Sequence, residues 1–280
     1  MFTNYGYLKD FPDIRDLNPD HEDIQPLLAK TAYGANVASA LPPKVDLRQW
    51  CSPVPNQGNL GSCTAHSAMG MVEYFQNKVY GKFIPGSRLF QYKMTRYMLK
   101  WTGDTGAFLR TAMGALVLFG VAPESYWPYK ETDYDVMPPW EVGMMAQSFQ
   151  ALKYYRLDPP GSSSADILQK VKACLATQQP AMFGFTVYKS IAKVGANGLL
   201  PFPAAREATD GGHAVLAVGY DDTIVTNVGK GAIIVKNSWG KAWGEGGFFY
   251  MPYEYITRGL ASDWWSMTSA EYVDTGVFAS

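Results

Sequence analysis

Between Leu41 and Cys63 the chain reads LPPKVDLRQWCSPVPNQGNLGSC, and its prolines and glycines cannot sustain a helix. Immediately afterwards Ala65, Ala68, Met69, Val72, Phe75 and Val79 recur at three- and four-residue spacing, free of proline, as far as Gly81. That junction demands an abrupt turn with Cys63 at the N-terminus of a helix. Unpaired backbone N–H groups and the helix dipole favour a thiolate there, so a lowered Cys63 pKa and a nucleophilic sulfur are expected.

Two further helical stretches are expected at about 87–100 and 107–119, the second ending at Gly120. SSSAD at 162–166 supplies an N-cap for a helix over DILQKVKACLA, since serine and aspartate side chains accept from first-turn amides. From about residue 180 the rhythm changes to short apolar runs, AMFGFTVY, HAVLAVGYDD, AIIVKNSW and GFFYM, separated by glycine-rich turns. These read as antiparallel strands. The inferred class is α+β in two lobes, a helical lobe over about 50–150 and a β lobe over about 151–280. Residues 1–40 stand apart: rich in Pro, Asp and Asn, with one short helical patch, DIQPLLAK, they read as an extended arm.

The 280 residues are 47% hydrophobic, enough for a large core. Lys and Arg number 24 against 25 Asp and Glu, so no field of one sign calls for nucleic acid or an anionic membrane. The first 20 residues hold no continuous apolar core and do not read as a signal peptide. The apolar run AMGALVLFGVA is short of the ~20 residues a membrane span needs. Localisation is left undetermined, with no membrane association expected. Three widely spaced cysteines, Cys51, Cys63 and Cys174, give neither a disulfide framework nor zinc-site spacing, so at least one thiol is free or externally paired. Cys51, Cys63 and His66 lack a fourth ligand, and no metal is expected. Trp264 and Trp265 are expected in core or inter-lobe packing.

A thiolate nucleophile needs a histidine to exchange protons with it and a third group to orient the imidazole. Of three histidines, His21 lies in the arm and His66 lies one turn along the Cys63 helix, where it cannot easily face the sulfur across a cleft. His213 remains, opening a predicted strand behind two glycines that allow close backbone approach.

At this point three blocks, QGNLGSC (57–63), GGHAVLAVGY (211–220) and IIVKNSWGKAWGEGGFF (233–249), resemble the signatures of the papain family of cysteine peptidases, in that family's order. DTGAFLRTAMGALVLFGVAPESYWPY adds a weaker fourth match, and the four span most of residues 44–255. The resemblance implies a papain-like two-lobe fold, with a helical left lobe, an antiparallel β-barrel-like right lobe and the active site between them. It implies Cys63 as nucleophile, His213 as general acid/base and Asn237 as the residue orienting His213. Gln57 would donate to the oxyanion hole together with the Cys63 N–H. Gly106, Ala107, Phe108, Ala214 and Trp239 would bind substrate, with Trp239 also shielding the His213–Asn237 bond. The pocket residues imply preference for a medium or large apolar side chain one residue upstream of the cleavage position.

The implied activity is cysteine-type endopeptidase hydrolysis, without a cofactor, on a peptide or protein substrate, by a monomer. Acyl transfer on the same triad and a non-catalytic papain-fold binding protein are the competing readings. The sequence departs from many relatives at Leu60, where they carry a disulfide cysteine, at Thr64, where they carry tryptophan, and at Gly212, where they carry a polar residue. The arm is far shorter than the usual helical prodomain. It shares a Pro-Asp-x-Arg-Asp pattern, PDIRD at 12–16, with short-armed bacterial members. Extended aromatic and proline-containing chain (Tyr5, Tyr7, Leu8, Phe11, Pro12) suits a peptide groove, so the arm is expected to lie over the cleft as a short pro-segment.

Overall fold

The computed structural model describes residues 5–11, 13–29 and 41–272. Its centre is the helix α2 (Cys63–Tyr80), which follows the short arm helix α1 (Gln25–Leu28) and ends at Gly81 in the left-handed conformation, φ 68°. A residue without a Cβ adopts that φ at no steric cost, and here it closes the helix with a bond to Asn77 O. Four turns of α2 are buried almost all round, because α3 (Arg88–Met98) and α4 (Leu109–Leu118) cover one side and the sheet covers the other. α5 (Trp140–Ala146) completes the helical lobe.

The second lobe is built on an antiparallel sheet. Its order is β4 (Phe149–Arg156), β9 (Ala261–Tyr272), β5 (Ala181–Tyr188), β6 (Thr209–Val225), β7 (Lys230–Lys236) and β8 (Phe248–Pro252). β2 (Lys44–Asp46) joins it by pairing with the far half of β6, Val45 opposite Tyr220. All four strand-like runs of the sequence become strands. Among the described residues the barrel-like lobe does not close into a full barrel, β4 and β8 standing at the two ends of the sheet. Both edges are covered instead, β8 by the loop at Gly198 and Leu200, which exchanges bonds with Tyr250, and β4 by the arm, where Arg156 N–H donates to Leu17 O. Covering satisfies edge groups as closure would.

α6 (Ser164–Ala176) packs on β5 and β6 and begins with the expected cap, a reciprocal box between Ser163 and Asp166. α7 (Glu254–Thr257) packs beside it. Trp264 and Trp265 are fully buried, and Trp264 stacks on Phe183 with ring centroids 3.9 Å apart. Strands β4 and β9 carry no clear alternation for a reader to find, since residues 263–267 of β9 are buried on both faces.

The arm does not lie apart. Its strand β1 (Tyr7–Leu8) pairs with β3 (Ala107–Phe108) in parallel register, Tyr7 opposite Ala107, so residues 5–8 run between the two lobes.

Candidate active site

Cys63 is the first residue of α2 and is wholly buried. Its Sγ accepts the Ala214 N–H at 3.4 Å, and the N–H groups of Gly6, Thr64 and Cys63 itself also turn toward it. These donors act in the direction expected of a helix terminus. They are outweighed: burial pushes the thiol up to about 11. The expectation of a lowered pKa therefore fails for the arm-covered enzyme, because the sulfur has no contact with water.

His213 enters from β6, the strand that packs on α2, where it pairs with Phe185 of β5. Its Nε2–H donates to Asn237 Oδ1 at 2.8 Å, and its Nδ1 has no hydrogen-bond partner among the described residues. Nδ1 thus carries the free lone pair of the neutral ring. Asn237 follows β7 directly and holds its side chain by a second bond, accepting Ser238 N–H at 2.8 Å. Trp239 stacks on the imidazole at 4.6 Å, closing the His213–Asn237 bond to solvent. Burial lowers the His213 pKa to about 4, against the raising effect of Asn237. Burial thus disfavours the charged form of both groups.

Gln57 is 1% exposed and fixed at both ends of its amide: Nε2 donates to Leu60 O at 2.8 Å, and Oε1 accepts Ser238 Oγ–H at 2.6 Å. An amide nitrogen has two hydrogens, so one remains for a ligand. His66, as expected of a packed helix residue, is buried, its Nδ1 beside Ser62 O and its ring edge-on to Tyr129. Burial lowers its pKa to about 3.

A family model for papain family cysteine proteases matches residues 41–267. The chain belongs to the papain family of cysteine proteases. It is 34% identical to an uncharacterised peptidase C1-like protein, L477, of Acanthamoeba polyphaga mimivirus, over 94% of this chain and 86% of that one. Against a cathepsin L-like proteinase of Fasciola hepatica it is 28% identical, spanning 62% of that relative's length. Among solved structures, xylellain, a cysteine protease from Xylella fastidiosa, superposes with a TM-score of 0.77 at 34% identity, covering 95% of this chain and 96% of the other.

Residues 5–8 of the arm lie against the site groups. Gly6 O accepts Ala107 N–H at 2.8 Å, and Tyr5 packs edge-on against His213 and beside Trp239, each at 6.0 Å. Gly106, at φ 71°, leaves room for this crossing: a Cβ there would stand 2.3 Å from Gly6 O. Ala107 pairs with Tyr7 and Ala214 gives its N–H to Cys63 Sγ, whereas Phe108 packs on Trp101 and pairs with Leu8. Of the arm's other aromatic and apolar residues, Leu8 and Phe11 are exposed, and Pro12 lies outside the described residues.

Sequence reasoning missed the arm's fastenings. Arg110 at the start of α4 pairs with Asp10 at 3.0 Å and with Asp16 at 2.6 Å, and Arg156 reaches Asp16, Asp158 and Asp263. The second Asp of PDIRD is therefore an anchor. Its pattern with two arginines at 110 and 156 carries no local signal, since the partners are brought together by strand β4 and helix α4.

Proposed function

We propose that this cysteine peptidase hydrolyses peptide bonds through an acyl-enzyme on Cys63, and that residues 1–40 act as a short pro-segment closing the cleft. The observation that carries the reading is the His213 ring, bound through Nε2 to Asn237 with its Nδ1 buried and unpartnered among the described residues, while the next residue, Ala214, gives its N–H to the Cys63 sulfur. Once the arm leaves, Cys63 passes its proton to Nδ1 and the thiolate adds to the substrate carbonyl carbon. The oxyanion accepts from Cys63 N–H and the free Gln57 Nε2–H, donors placed for the developing charge. His213 then protonates the leaving amine, and in the second half takes a proton from water as its oxygen adds to the acyl carbon; the C–S bond breaks, the acid leaves, and His213 returns the proton to the sulfur.

The arm is suited to close this site without being cut. Gly6 offers the sulfur its N–H, while its carbonyl accepts from Ala107 N–H and lacks the oxyanion-hole bonds that would activate it. Burial by the arm also disfavours the charged form of both catalytic groups, so closure opposes the thiolate as well as access to it.

The deciding experiment measures hydrolysis of an apolar-Arg fluorogenic dipeptide by wild type and Cys63→Ser under reducing conditions. Turnover abolished by the serine, together with a burst of released dye equal to the enzyme present, supports the acyl-enzyme. Turnover that survives the serine, or silence toward every peptide in folded protein with the arm dislodged, sinks it in favour of a binding protein on this fold.

A further inference from the structure

Asp104 ties the turn before Cys63 to the backbone that pairs with the arm. The segment that carries it is anchored first. Gly103 N–H donates to Asp135 Oδ2 at 2.8 Å, Gly103 O accepts from Arg96, and Gly106 N–H donates to the Tyr92 hydroxyl at 3.0 Å. Arg96 and Tyr92 are wholly buried on α3, so residues 103–106 are mounted on a helix. Tyr92 in turn donates to Asp104 Oδ1 at 2.6 Å. Burial and this carboxylate raise the Tyr92 pKa, which keeps the hydroxyl a donor. From that mount Asp104 reaches the nucleophile's turn, where the Gly61 N–H is shared between Oδ1 at 3.0 Å and Oδ2 at 3.1 Å.

The Gly61 N–H belongs to the same peptide unit as the Leu60 carbonyl. A trans peptide is planar with its N–H and C=O opposed, so holding one fixes the direction of the other. Leu60 O accepts Gln57 Nε2–H at 2.8 Å, and Gln57 supplies the amide proposed to serve the oxyanion. One rigid plane therefore separates Asp104 from that amide. Glycine at 61 makes the hold matter, because a residue without a Cβ does little by itself to restrict how the plane turns. Many relatives carry a disulfide cysteine where this chain has Leu60. Here a carboxylate grips the turn, and bonds to an ionised acceptor are the strong ones.

We propose, resting on the peptidase reading above, that Asp104 is a positioning residue for the oxyanion hole: it sets the Leu60–Gly61 peptide plane and, through Leu60 O, aims the Gln57 amide. Tyr92 holds Asp104 in place and joins the same relay to the Gly106 backbone. The donor for the developing charge and the strand beside it are thus held in one frame, as transition-state stabilisation by fixed dipoles requires.

The test divides kcat/KM for an apolar-Arg dipeptide coumarin by the rate constant for alkylation of Cys63 with iodoacetamide, in the full-length chain. Both reactions need an open cleft and the Cys63 thiolate, whereas displacement of iodide by sulfur forms no oxyanion, so the ratio separates the oxyanion hole from the arm. Asp104→Ala is expected to lower the ratio by about tenfold or more. Asp104→Asn, whose Oδ1 can still accept both Gly61 N–H and Tyr92 O–H, should recover most of that loss. In Gln57→Ala, where no amide remains to aim, adding Asp104→Ala should cost little further. If Asp104→Ala does not fold, Asp104→Glu, which moves both oxygens by a methylene, is read in its place. An unchanged ratio, or losses that multiply in the double variant, overturns the inference and leaves the peptidase standing. Wild-type Cys63 that is alkylated while no peptide is cut removes the peptidase reading, and this one with it.

Discussion

Gly6 crosses the cleft so close to Gly61 that a Cβ on Gly6 would stand 1.7 Å from the Gly61 carbonyl oxygen. The contact is backbone on backbone, and Gly61 is itself held by two bonds from its N–H to Asp104 at 3.0 and 3.1 Å. Neither partner can give way as a flexible side chain would.

Gly6→Ala is therefore expected to expel the arm while sparing the body of the enzyme. Peptide turnover by the full-length variant should rise by about tenfold or more, the gain following the larger open fraction. Steady-state rates beside a thermal melt check this: a rate unchanged in protein that still folds would mean that the arm does not limit access to Cys63.

Loss of the Gln57 amide should strike the chemical step. Gln57→Ala is expected to lower kcat for amide hydrolysis by about 10²- to 10³-fold with KM little changed, the signature of a donor used in the transition state. Because Gln57 also receives Ser238, Ser238→Ala serves as the control. If it reproduces the whole loss, the amide acts through loop position.

Closure of the arm should respond to pH through two opposed groups. Burial raises the Asp10 carboxyl to about 6 from 3.8 and lowers His213 to about 4 from 6.5. Between about pH 4 and 6 the closed form takes up a proton on Asp10, so acid favours closing; the open form takes one up on His213, so acid favours opening. In Cys63→Ala, where no thiolate couples to the imidazole, the two effects should largely cancel. Adding Asp10→Asn leaves His213 alone, and opening should then increase by up to about tenfold per pH unit as pH falls from 6 to 4. Hydrogen exchange of residues 5–8, corrected for intrinsic rates, reads it. A flat profile in the double variant would contradict the assignment.

A buried ionic cluster joins the two sides of the site. Arg88 donates to Glu73 Oε2 at 2.8 Å, Ser52 donates to the same oxygen at 2.5 Å, and Lys236, one residue before Asn237, donates to Ser52 at 2.7 Å. Glu73 lies on the helix that begins with Cys63. Glu73→Ala would leave two buried cations without their counter-charge and should destabilise the fold by about 3–5 kcal/mol. Urea denaturation measures this, and a loss under about 1 kcal/mol would show that the cations find water.

The catalytic candidates could be read from the chain because each rests on local chemistry. A proline- and glycine-rich approach must turn before a helix can start, which puts Cys63 at its first residue; Gly211 and Gly212 stand beside His213 within a strand that begins earlier than expected, at Thr209, and Asn237 follows another. Expected elements held for the same reason, the capping box at Ser163 and the stop at Gly81 being decided within a few residues. What the sequence could not decide was set by groups far apart along it. Tyr7 meets Asp263 across 256 positions, and Asp16 meets Arg110 and Arg156 through elements whose packing brings them together. The thiol pKa is the plainest case. Helix geometry, a local property, pulls it down, but burial under the arm pushes it up, and burial is a property of the whole folded chain.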